Sequence, residues 1–215
     1  AIANPLTFAA LNGSTLTDGS IAVTGTVSDA AGNSTSFNGS FTKDTAPPAV
    51  PSLAEILAGT GNNAGWISSA SASSASIRIT YPATYAGTET VWIVVSGSTP
   101  ATVQSSNQAA PAGGGTVTFT VDASTVADGA VTVTAWYQDA NFNVASTPFA
   151  GFNKDTVAPA MPASAQIPAG SGNGANYVSS TSRTAVIVDI GFGAGSSAND
   201  RVAVQLQGGA SATSL

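Results

Sequence analysis

The 215-residue sequence carries only 11 acidic residues, and several recur at matching places. Asp29 and Asn33 flank one D-x-x-x-N turn, and Asp139 and Asn143 flank another. Asp44 and Asp155 each follow a lysine and open the Pro-containing stretches "DTAPPAVP" and "DTVAPAMP". Glu89 and Asp200 each stand just before an alternating apolar run, at Val91 and at Val202. Side-chain oxygens gathered at turns and junctions point to Ca²⁺, which takes roughly 6–8 oxygen ligands, several from carboxylates. A junction uniting Asp44, Glu89 and a turn carbonyl would supply part of such a shell. The competing reading is local: Asp29 and Asp139 close Asx turns, while Asp44 and Asp155 cap a linker turn. From the sequence both readings stand.

A second cluster is aromatic. If Val91, Ile93 and Val95 face a core, then Trp92 and Val94 face outward, and so does Trp136 on the strand that ends at Tyr137. Trp92, Val94 and Trp136 would then form an apolar patch suited to lateral contact between copies of the chain. The alternatives are a glycan or protein ligand stacked on the tryptophans, or a cover supplied by residues 97–115. Lys43 and Lys154, beside Asp, raise an isopeptide cross-link against the plainer reading of solvated linker lysines. Asn12, Asn33 and Asn38 open N-x-S/T sequons, which signify little without a source.

Composition removes most other chemistry. The chain has no His and no Cys, so a Ser-His-Asp triad, a thiol nucleophile and ordinary zinc or haem ligation are excluded. Five Lys and Arg residues cannot form the basic footprint of a nucleic-acid binder. The longest apolar stretch, Val91 to Val95, is too short for a membrane span. The Gly-rich "AGTGNNAG" does not link a strand to a helix and is no phosphate loop. No enzyme is expected and no cofactor is required, with Ca²⁺ the one ion kept in view.

The elements that must position these residues are short strands. Residues 76–81, 91–96, 116–121, 130–137 and 145–152 alternate with period two and are rich in Val, Ile, Thr and aromatics. A helical turn is expected only at Leu53 to Leu57. The pattern also repeats. Phe41, Lys43, Asp44, Thr45, Pro48 and Pro51 recur at Phe152, Lys154, Asp155, Thr156, Pro159 and Pro162. Ile56, Trp66, Ile79 and Val91 recur in the same frame at Ile167, Tyr177, Ile190 and Val202. Upstream, the segment from Asp18 matches that from Asp128 with one residue fewer, so the later copy gains one residue beyond the turn. The repeat is about 111 residues, the size of one small sandwich domain. Trp92, Val94 and Trp136 are replaced by Ala203, Gln205 and Thr26 in the other copies, so the aromatic patch belongs to one copy only.

"VSDAAGNST" followed by "KDTAPPAVP" resembles the bacterial Ig-like tandem repeats of large surface adhesins and biofilm proteins. The resemblance implies all-β, immunoglobulin-like sandwich modules at the cell surface, mechanical spacing or adhesion, and Ca²⁺ at loops and junctions. This chain departs from the pattern at "GTGNNAG", with Asn and Gly where many relatives place Asp. The expected organisation is one complete module at 44–154, the C-terminal half of a module at 1–43 and the N-terminal half of another at 155–215. Ala1 in place of an initiator Met is read as a processed chain or a window of a longer one. The halves suggest two fates: continuation of a covalent array, or head-to-tail strand complementation between copies. The expectation is an extracellular filament, stalk or adhesin segment that partners with copies of itself, with a glycan or host protein as the alternative partner.

Overall fold

A computed structural model describes residues 7, 10–59, 61–98, 101–170, 172–196, 200–208 and 211–214. Two compact units divide the chain, Ala1–Thr156 and Val157–Leu215. The architecture is all-β, with one 3₁₀ turn at Ala72–Ser74 among the described residues.

In the first unit, β1 (Gly19–Ser28) and β2 (Ser34–Lys43) form an antiparallel hairpin of their own. The sandwich that follows has two sheets. β3 (Leu53–Ile56), β5 (Ala75–Tyr81) and β9 (Gly115–Val121) make the first, in the order β3-β5-β9. The second joins β4 (Trp66–Ser68), β11 (Val144–Asp155), β10 (Gly129–Gln138), β6 (Thr90–Ser96) and β7 (Thr102–Gln104), in that order, with β8 (Gln108–Ala109) also on β6. The opening strand is thus split between the sheets, and its second part runs parallel to the last strand. This is immunoglobulin-like topology.

Alternation decides what the sheets bury. Ile77, Ile79 and Phe119 from one sheet meet Val91, Ile93, Val95, Val131 and Val133 from the other, all buried. Each such side chain contributes roughly 1.5–3 kcal/mol of transfer free energy. The segment at Leu53 is a strand rather than the expected helical turn. Ala54 and Ile56 are buried while Leu53 is exposed, a period-two arrangement that pairs with β5 through Ala54↔Ile79. Four residues gain more from that ladder than from one isolated helical turn.

The residue gained in the later copy is a β-bulge. In β1–β2 the register is unbroken, but in β10–β11 it shifts between Val131↔Phe152 and Val133↔Phe149. Gly151 absorbs the extra residue at φ 94°. With Pro148, the bulge spoils the free edge of β11, which meets β4 only at Asn153–Asp155.

The second unit contains β12 (Ser164–Gln166), β13 (Asp189–Gly191), β14 (Gln205–Gly208) and β15 (Ser211–Ser214). Ala165↔Ile190 repeats the pairing Ala54↔Ile79 one repeat later. Here, however, Val202 and Leu206 are exposed where Val91 and Val95 are buried. A cavity of about 530 Å³ opens among Val188, Ile190, Phe192, Ser196, Asp200 and Val202.

Candidate functional site

Each hairpin ends in the same clamp. Lys43 Nζ donates to the Leu16 carbonyl at 2.7 Å and to Asp18 Oδ1 at 3.1 Å, while Thr45 donates its N–H and hydroxyl to the Asp18 carboxylate. In the next copy Lys154 Nζ donates to the Val126 carbonyl at 2.6 Å and to Asp128 at 3.0 Å. Thr156 again gives its N–H and hydroxyl to the carboxylate. The Lys-Asp-Thr run is thereby tied back to an aspartate at the start of the hairpin. The Thr156 N–H, the Lys154 ammonium and the Thr156 hydroxyl hold the Asp128 pKa down at about 2. Asp18 is lowered by the same three kinds of donor, the Thr45 N–H foremost. The lysines are thus ion-pair partners of Asp18 and Asp128.

Asp18 and Asp128 are functional candidates that sequence reasoning missed. A signal was present: Asp-Gly precedes the hairpin and Lys-Asp-Thr follows it in both copies. The partners lie 25–28 residues apart, beyond the reach of a local motif.

The D-x-x-x-N turns are closed by their own donors. Asp29 Oδ1 accepts from the N–H groups of Ala31 and Asn33, and Oδ2 from Asn33 Nδ2. Asp139 is held identically by Asn141 and Asn143. The Asn33 side chain leads the causes that lower the Asp29 pKa. Burial acts to raise Asp139, but hydrogen bonds from the side chain and N–H of Asn143 and from the Asn141 N–H outweigh it. These are Asx turns.

Asp44 is brought to the second of these turns. Asn141 Nδ2 donates to Asp44 Oδ2 at 2.8 Å, Asn143 Nδ2 to the Asp44 carbonyl at 3.2 Å, and the Ala46 N–H to Asp44 Oδ1. Thus Lys43 and Thr45 grip the hairpin's Asp18, while Asp44 between them grips the sandwich at its β10–β11 turn. Among the described residues, the Glu89 carboxylate makes its hydrogen bonds within its own loop and not with this cluster. Its two oxygens accept from the N–H groups of Ala86 and Gly87; burial acts to raise it, and backbone donors from its own loop hold it below the usual carboxylate range. Asp155 lies at the other end of β11 from Asn143, paired with Ser68, and Asp200 belongs to the second unit, where it lines the cavity with Ser196 and four apolar residues. Among the described residues no group of three or more His, Cys, Asp or Glu side chains gathers as a metal cluster.

Trp92 and Trp136 stand directly opposite each other on β6 and β10, their rings stacked at 5.9 Å and 10°. Val94 pairs with Thr134 on the same outer face. Residues 102–104 and 108–109 do not fold over this face; they run beside β6 as edge strands. Because the ring planes face one another, each tryptophan shields one face of its neighbour. In "GTGNNAG", Asn62 Nδ2 donates to the carbonyls of Leu57, Asn63 and Trp66, so its amide holds that loop together. Asn173 repeats two of these bonds, to Pro168 and Gly174.

No known protein family matches the chain. No curated protein matches it either. A solved structure of a tetra-tandem repeat in the extending region of a large adhesion protein is similar at 20% identity and a TM-score of 0.39. The similarity covers 92% of this chain, which spans about half, 53%, of that structure's chain. A likeness at that level carries no inference about ligand, partner or family.

Proposed function

We propose that the chain is a structural segment of an extracellular tandem array, a spacer or stalk of adhesin type that transmits tension along Ig-like modules. The observation that carries this reading is the repeated exit clamp, Asp18 with Lys43 and Thr45, and Asp128 with Lys154 and Thr156. Each clamp fastens the chain where it leaves a module, the point at which a pulled array is loaded. The parallel pairing of β4 with β11 adds resistance, since stretching the sandwich by its ends shears Asn153↔Trp66 and its neighbours together.

In this reading 44–154 is one module, and 1–43 and 155–215 are halves of its neighbours. A half is completed by a partner half of opposite kind, from the same covalent array or from a second chain. The apolar residues exposed on both halves favour such completion: Val23, Val27, Phe37 and Phe41 in the hairpin, Val202 and Leu206 in the second unit. Single-molecule stretching of the full chain is the test. One cooperative unfolding step that releases about 37–40 nm of contour, the length of some 111 extended residues, is expected. Gradual extension without such a step would overturn the reading.

The stacked pair Trp92 and Trp136, with Val94, supports a second, lateral role: contact between sheets of neighbouring copies. The Trp92→Ser, Trp136→Ser variant should then lose lateral association by sedimentation while keeping its fold. Binding to a glycan array that the same variant abolishes would instead favour a carbohydrate ligand.

A further inference from the structure

We propose that Asp44 and the D-x-N-x-N turn at Asp139–Asn143 form a metal-free lock. It would fix the angle between the module that ends at Lys43 and the module that follows. The lock goes beyond the proposed spacer role, because it concerns how two modules are oriented whatever load they bear.

The donor inventory is the basis. A junction built for Ca²⁺ needs carboxylate and carbonyl oxygens turned toward one empty centre. Here the oxygens face N–H groups. Asp44 Oδ2 accepts from Asn141 Nδ2, and Asp44 Oδ1 from the Ala46 N–H. Asp139 Oδ1 accepts two backbone N–H bonds, and Oδ2 accepts from Asn143 Nδ2. Asn143 Nδ2 also reaches the Asp44 carbonyl at 3.2 Å and so bridges linker and turn. An amide N–H carries the positive end of its dipole toward an anion, the part a bridging cation would otherwise take. Two asparagine amides between two aspartates satisfy the carboxylates and leave no shared centre for an ion. These residues therefore do not fit the Ca²⁺ site that the resemblance implies.

The placement of Asp44 makes the lock directional. Lys43 and Thr45 both bind Asp18 on the hairpin side, and the residue between them binds the sandwich. Three consecutive residues thus hold two modules from opposite sides, leaving little linker to swing. The lock is also encoded unevenly. Asn141 of "DANFN" corresponds to Ala31 of "DAAGN". The turn at Asp29–Asn33 retains the amide of Asn33 but lacks the one that grips a linker carboxylate. The Asp44 contact therefore depends on Asn at the third position of the turn.

The chain has no cysteine, so Ser40→Cys and Thr120→Cys would place unique spin labels on the hairpin and on the sandwich of the full chain. Pulsed dipolar spectroscopy then reads the spread of distances. A narrow distribution in EDTA, unchanged by millimolar Ca²⁺, is expected. Asn141→Ala should lose that narrow distribution while its melting temperature stays close to the parent's, since the turn keeps its backbone bonds and Ala already occupies the matching site at Ala31. Asp44→Ala, outside every strand, should broaden it equally from the other side of the bond. A parent distribution that is broad in EDTA and narrows with Ca²⁺ would overturn the proposal. So would a distribution that stays narrow in both variants.

Discussion

Val23 in β1 and Val133 in β10 hold matching positions in matching hairpins, yet Val23 is 42% exposed and Val133 fully buried. The same contrast separates Val27 from Tyr137. Both hairpins have a D-x-x-x-N turn closed by the same bonds, and both end in the same Asp-Lys-Thr clamp. Local sequence therefore builds hairpin, turn and clamp alike in the two settings. What differs is the cover: β10 and β11 face the sheet of β3, β5 and β9, and β10 also pairs with β6. Even the clamp registers this, for the Lys154 side chain is 5% exposed and that of Lys43 20%. The hairpin is the unit of local structure, and the module is the unit of burial.

The largest effect that can break this comparison comes from the valines. Val133→Ala should destabilise the chain by about 2 kcal/mol in urea titration, through lost transfer energy and a residual cavity. Val23→Ala should change it by less than about 0.5 kcal/mol, as at an ordinary surface site. Equal costs would mean that the β1–β2 face is covered in solution by a partner half, and the difference should reappear on dilution if that partner is a second chain.

A smaller effect distinguishes the turns. Gly32 sits at φ 90°, where glycine is at ease, but its counterpart Phe142 is held at φ 68° with its side chain 79% exposed. A left-handed backbone costs a non-glycine residue roughly 1–2 kcal/mol, and this exposed ring gains little burial to offset it. Phe142→Gly should stabilise the sandwich by about 0.5–1 kcal/mol after the added entropy of the unfolded glycine. Gly32→Ala should cost about 1 kcal/mol in the hairpin. Thermal melts followed by hairpin and sandwich probes would read the opposite signs. A loss on Phe142→Gly would show that the ring makes a contact in solution that offsets its strain.

Much of this was legible in the sequence. Period-two alternation placed Val91, Ile93 and Val95 inward and Trp92 and Trp136 outward, because a pleated strand leaves no other choice of face, while their direct pairing came from the register. The one-residue difference between the repeats was visible as a gain beyond the turn, but its storage as a bulge at Gly151 shows only in the strand pairing. The first strand was misread at Leu53 to Leu57, where five residues are too few to separate periods. The clamp acids and the Asp44–Asn141 bond were not legible. They join residues up to 97 positions apart, and only folding reveals which acid meets which donor.

The smallest effect is in pH, and it tests the two clamps against each other. Asp128 has a folded pKa of about 2 against an ordinary value of 3.8, and Asp18 is lowered in the same direction. A depressed carboxylate stabilises the fold above its unfolded pKa, and that contribution is lost as pH falls through the folded value. The clamp contribution should therefore be fully present at neutral pH and decline between about pH 4 and pH 2. Asp128→Asn should remove the part of this acid transition that belongs to the sandwich, and Asp18→Asn the part that belongs to the hairpin. Because Lys154 is the more buried of the two lysines, its loss of a charged partner should be the more damaging. Protonating Asp128 removes the charge that balances a nearly buried ammonium and leaves it neutral acceptors such as the Val126 carbonyl, whereas Lys43 can turn to water. Acid titrations of the two variants, followed by melting temperature, should diverge in that order, and coincident curves would mean that the cover over the sandwich leaves its clamp as wet as the hairpin's.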